Sequence, residues 1–222
     1  MTNNQNIDKQ LEKFDTTLDY LVEAFTTEAQ NNFTNKENQI TFSMSDKLDD
    51  IQKKTYALPD TVGLYLFEVD LRKFYKNQFE SNQVWEKSKE SAIREHFFYR
   101  LEVLWSESDE RANSTFPKLI KKRLLKHYNL KSKTNDFINM DWVPLYLGIN
   151  NNIQKRVFQH IKCDSSTFSM KLSQLSATDF KEIPIRVSIS AFPKLGSKSR
   201  YMIVEEIEKK LRDKLHPLVG KQ

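Results

Sequence analysis

Trp142-Val143-Pro144-Leu145-Tyr146-Leu147-Gly148-Ile149-Asn150-Asn151-Asn152-Ile153-Gln154-Lys155-Arg156-Val157-Phe158-Gln159-His160-Ile161 changes character once, at its asparagines. The first eight residues are short, mostly apolar and rich in β-formers, which predicts a strand. The asparagine-rich turn supplies a cap, and 153–161 then read as a helix. Arg156 and His160 stand four apart on that helix and share a face.

Upstream, Pro59 and Asp60 punctuate the chain, and Val62 through Val69 form a second apolar run, expected to be a central strand. Downstream, Ile183 through Ser190 alternates apolar and polar residues, the pattern of a half-exposed strand. A final helix, Tyr201 through Leu215, carries Val204, Ile207, Leu211 and Leu215 on one stripe and stops before Pro217. The order strand, insertion, strand, helix, strand, helix predicts an α/β (α+β) fold. Residues 1–58 are expected as an N-terminal helical extension. Residues 59–222 are expected as the main domain, with a helical insertion at about 72–140. In the extension, Ile7, Leu11, Phe14, Leu18, Leu21, Val22 and Phe25 line one helical face that packs on its own domain or pairs two copies. A second short helix is expected after Ser45, through Leu48 and Ile51, and 31–38 is expected as a mobile loop.

Composition narrows the chemistry. With 35 Lys+Arg against 30 Asp+Glu the net charge is +5, which tolerates a polyanionic partner without demanding one. The single cysteine, Cys163, cannot form an internal disulfide, which fits a reducing cytoplasm. Four scattered histidines and one cysteine do not compose a structural zinc site, and the chain holds no glycine-rich phosphate loop. The polar start lacks the apolar stretch of a secretion signal, and no run is long enough to span a bilayer, so a soluble protein without a membrane partner is expected.

Of only 4 glycines, Gly63 and Gly148 each lie two residues from a tyrosine inside an apolar strand. Glycine weakens a strand, so its presence there marks close approach of another group. Arginine suits phosphate through its planar fork, and histidine orients or accepts a proton near neutrality. Gly63-Leu64-Tyr65, Tyr146-Leu147-Gly148, Arg156 with His160, and a glutamate helix ending in proline together resemble the GIY-YIG nuclease family. The resemblance covers roughly one hundred residues, a common domain size, and leaves out the N-terminal helices and the insertion.

That resemblance implies a core with a central three-stranded antiparallel sheet flanked by helices, and a DNA endonuclease using Mg2+ or another divalent cation such as Mn2+. By likeness, Tyr65 would be the general base or proton relay and Tyr146 would orient the nucleophile. Arg156 would stabilise the transition state, and His160 would hydrogen-bond a tyrosine hydroxyl. A free phenol has a pKa near ~10, so its surroundings must help. The metal-binding carboxylate is expected to be Glu208, with Glu205 in reserve; Glu205, Glu206 and Glu208 crowd one turn. Glu208 precedes Leu211 by three and Pro217 by nine, as in the family, and sits on the apolar stripe. The family's asparagine after the proline has no counterpart in Leu218-Val219-Gly220-Lys221-Gln222.

The family's two tyrosine strands are usually joined by a short hairpin, whereas about eighty residues separate Tyr65 from Tyr146. The insertion carries Lys118, Lys121, Lys122, Arg123 and Lys126, a density suited to phosphates along double-stranded DNA, or else a solvated helix face. Restriction is the expected biology. The alternatives are a repair, recombination or mobile-element nuclease, or a DNA-binding protein that keeps the fold without cutting.

Overall fold

The computed structural model describes residues 2–70, 142–162, 170, 172–177, 181–192 and 197–217. The insertion at about 72–140, with its lysines and Arg123, lies outside the described residues, as does Cys163.

Strand β2, Gly63–Val69, is buried at every position because it runs between two neighbours. One is β3, Val143–Asn150, and the other is β4, Ile185–Ala191, both antiparallel to β2. Among the described residues the sheet has four strands, one more than the expected three. Gln39–Phe42 forms β1 and pairs antiparallel with β4, giving the order β1-β4-β2-β3. Four residues are too few for alternation to announce a strand; pairing with a formed partner makes this one.

Successive strand residues point to opposite faces, and both faces are covered. On one, Tyr65, Phe67, Val187 and Ile189 pack with Ile51 of α2, Leu48–Tyr56, and with Ile153, Val157 and Ile161 of α3, Ile153–Lys162. On the other, Leu64, Leu66 and Leu147 meet Val22 and Phe33 of α1, Thr2–Thr34, and Val204, Ile207 and Leu211 of α4, Ser197–Leu215. Each such side chain fully removed from water stabilises the fold by roughly 1.5–3 kcal/mol.

This double cover corrects two expectations. β4 is not half-exposed: Ser188 and Ser190 are buried under the helices, where Ser190 Oγ accepts from Asn32 Nδ2 at 3.0 Å. Nor is 31–38 a loop throughout. α1 continues to Thr34, and a 3-10 turn, Lys36–Asn38, follows, capped by the Asn35 side chain accepting from Glu37 N. The Asn32 side chain thus fastens helix to sheet. α1 and β1 therefore share the sheet and core of the main domain. Toward its start, α1 leaves Ile7, Leu11 and Phe14 more than half exposed.

Candidate active site

β2 and β3 place the two tyrosines on the face covered by α3. Tyr65 pairs with Gly148, and Phe67 with Tyr146, so both phenols lie on the same side of the sheet. A bulge at Phe67/Glu68 leaves Leu145 between pairs, which lets Leu145 and Tyr146 pack against the same cluster. Gly148 has to be glycine: a Cβ there would sit 2.5 Å from Tyr65 Oη and 2.6 Å from Tyr146 Cε1. The space over Gly148 holds the Tyr65 ring, whose centroid lies 6.0 Å from that of Tyr146 at 27°. Gly63 serves packing instead, since a Cβ would collide with the Ser190 carbonyl oxygen and the Ile153 side chain.

α3 brings His160 onto this pair. Its ring stands 4.8 Å from that of Tyr146 and 5.6 Å from that of Tyr65. The backbone N–H of Met170 donates to Nδ1 at 3.0 Å, and Nε2 lies 3.1 Å from Tyr65 Oη. An Nδ1 that accepts carries no proton, so the neutral ring bears its hydrogen on Nε2 and donates it to Tyr65. Burial, reinforced by the charge of Arg156, lowers the His160 pKa to about 3, so the ring stays neutral at physiological pH. Tyr65 thus receives a fixed donor, and its own hydroxyl hydrogen is left to point elsewhere.

Arg156, half-buried on α3, donates to Gln159 Oε1 at 3.3 Å, and its charge is felt by Tyr65, Tyr146 and His160. Burial pushes the Tyr65 phenol well above its ordinary value and Tyr146 adds to this, while Arg156 pulls it back. Tyr146 is also raised by burial; Arg156 opposes that, Glu208 adds to it and Arg212 opposes it. The more exposed phenol is Tyr146, on β3, which among the described residues is an edge strand.

No protein-family model, curated protein or solved structure matches this chain. The site stands on its geometry.

The carboxylate arrives from the opposite face. α4 packs on β3 and β2 from the side of α1, and the charge of Glu208 bears on Tyr146 of β3. Of the three crowded glutamates only Glu208 is buried; Glu205 and Glu206 are exposed. Burial raises the Glu208 pKa, Arg212 pulls it down and Glu205 adds to the rise. Arg212 Nη2 donates to Glu208 Oε1 at 2.6 Å.

Among the described residues no three His, Cys, Asp or Glu side chains gather to hold a metal ion. Glu208 nonetheless fits a magnesium ion that takes most of its ligands from water and phosphate, because Arg212 engages Oε1 and leaves Oε2 for a cation. Tyr65, Tyr146 and His160 are therefore in contact, with Arg156 and Glu208 within electrostatic reach of Tyr146. Two features escape the sequence. One is the Met170 N–H that sets the His160 tautomer, invisible because it is backbone. The other is Arg212, whose only signal is its place four residues after Glu208.

Proposed function

We propose that this chain is a divalent-metal-dependent DNA endonuclease of the GIY-YIG type, acting in restriction on double-stranded DNA. The observation that supports it best is the buried hydrogen bond from neutral His160 to Tyr65 beside Tyr146, with Arg156 acting on both tyrosines and Glu208 on Tyr146. A packing tyrosine needs no oriented histidine, whereas a phenol that handles protons benefits from a donor fixed on its oxygen.

On this reading Arg156 binds a phosphate oxygen and stabilises the charge that builds there in the transition state. Tyr146, the more exposed phenol, orients the water, and Tyr65 behind it takes up or relays the proton. Because burial raises both phenols, they are neutral at physiological pH, and only the small phenolate fraction of Tyr65 takes up the proton, a fraction that grows as pH rises. Glu208, with Glu205 in reserve, would hold the Mg2+ or Mn2+ ion, which when bound would neutralise charge on the phosphate. Ile7, Leu11 and Phe14, exposed on α1, form an apolar face suited to pairing two copies. No described helix is long and apolar enough to cross a membrane, and the cytoplasm is the compartment proposed.

The test is plasmid cleavage in magnesium by wild type, Arg156→Ala and Glu208→Gln. Wild type is expected to nick or linearise DNA and both variants to lose at least ~100-fold in rate. Normal cutting by both variants would remove these residues from the active site.

A further inference from the structure

Arg212 stands one turn beyond Glu208 on α4, and the two side chains keep only 20% and 12% of their exposure. The pair is joined at a single atom of each, Nη2 to Oε1. Arg212 Nε is buried and has no hydrogen-bond partner among the described residues. A guanidinium offers five donors in a rigid fork, so a single carboxylate contact leaves most of its capacity unspent. Its charge also reaches Tyr146, on which Arg156 acts from α3. Two guanidiniums from different helices thus bear on one tyrosine.

Resting on the nuclease reading, we propose that Arg212 is a second phosphate-binding arginine: it pairs with Glu208 until a divalent cation takes that carboxylate, then carries its fork to a non-bridging oxygen of the bound phosphodiester. The exchange follows from charge. A divalent cation and a guanidinium compete for one small, poorly solvated carboxylate and repel each other across it. A phosphodiester bound beside Tyr146 would offer the displaced guanidinium paired acceptor oxygens. Arg212 therefore lowers the affinity of the free protein for metal and raises its affinity for DNA.

Wild type, Arg212→Gln, Arg212→Lys and Glu208→Gln are compared in two measurements, with thermal melts to confirm folding. The first is Mn2+ binding to DNA-free protein at pH 8, read as loss of the free-ion spin-resonance signal. The second is affinity for a short mixed-sequence duplex in Ca2+. Arg212→Gln is expected to bind Mn2+ about tenfold tighter and the duplex about tenfold more weakly, as loss of one charge-assisted contact implies. Arg212→Lys, which keeps the charge and the partner, is expected to leave Mn2+ binding near wild type and still weaken DNA binding. Unchanged or weaker Mn2+ binding in Arg212→Gln, or unchanged DNA affinity in both variants, overturns the proposal. If Glu208→Gln loses Mn2+ while the Arg212 variants match wild type, the Arg212 proposal alone fails. If Glu208→Gln binds Mn2+ as well as wild type, the metal site fails and takes the proposal with it.

Discussion

His160 predicts a measurable acid sensitivity. Its ring is 1% exposed and its pKa falls from 6.5 to about 3. In the unfolded chain the imidazole takes up a proton near 6.5, which folding must expel. The native state is thus fully supported above 6.5 and loses stability as pH falls from there toward about 3. At pH 4.5 the unfolded ring is about 99% protonated and the native ring almost neutral. Set by the gap between the two pKa values, the penalty is roughly 2–3 kcal/mol. The perturbation is His160→Gln, which keeps an N–H donor directed toward Tyr65 but cannot titrate. It leaves the Met170 N–H without its acceptor, at a pH-independent cost of roughly 1–3 kcal/mol. Urea unfolding of both proteins from pH 7.5 to 4.5 gives the difference in stability at each pH. Carboxylates common to both largely cancel. The wild-type advantage is expected to shrink by roughly 2–3 kcal/mol over that range. A difference that stays constant with pH would refute the neutral, buried histidine and the donor assigned to it.

Gly148→Ala places a Cβ against Tyr65 Oη and forces the ring to move. A loss of about 1–3 kcal/mol in urea unfolding is expected, together with a loss of nicking, whereas full stability and activity would show that the ring has room. Because burial raises both phenols above their ordinary value, single-turnover cleavage is expected to climb with pH and to reach no plateau below ~10. A plateau at neutral pH would assign the proton to another group.

The elements legible in the sequence are those with a sustained period. β2, β3, α3 and α4 begin and end within a few residues of the expected positions, because apolar runs, an asparagine cap and a terminal proline are local signals. β1 is not local: Gln39–Phe42 becomes a strand only by pairing with β4. The polar residues at Asn32 and Asn35 resemble a loop in sequence, yet Asn32 ties α1 to β4 and Asn35 caps the turn that follows, and Ser188 and Ser190 look solvent-facing until α1 covers them. Strands β2 and β4 hide a cross-strand ion pair, Arg186 Nε to Glu68 Oε2 at 2.8 Å, in which Arg186 also lies over the Trp142 ring.

For the site, spacing brings out Tyr65, Tyr146, Arg156 and His160 because each is tied to a glycine or to a helical step. Glu208 stands out among three glutamates through its position on the apolar stripe, and it is the one that is buried. Arg212 carries no motif, and its ion pair with Glu208 is visible only in three dimensions.

The central claim is that the Tyr65 and Tyr146 hydroxyls serve phosphodiester hydrolysis and not packing alone. Supercoiled plasmid incubated with wild type, Tyr65→Phe and Tyr146→Phe, each with Mg2+ and with a chelator, tests it most directly. Only wild type with Mg2+ is expected to convert plasmid to nicked or linear form, with both variants folded and inert. Cleavage by both phenylalanine variants at the wild-type rate, or no cleavage of any DNA by folded wild type, would contradict it.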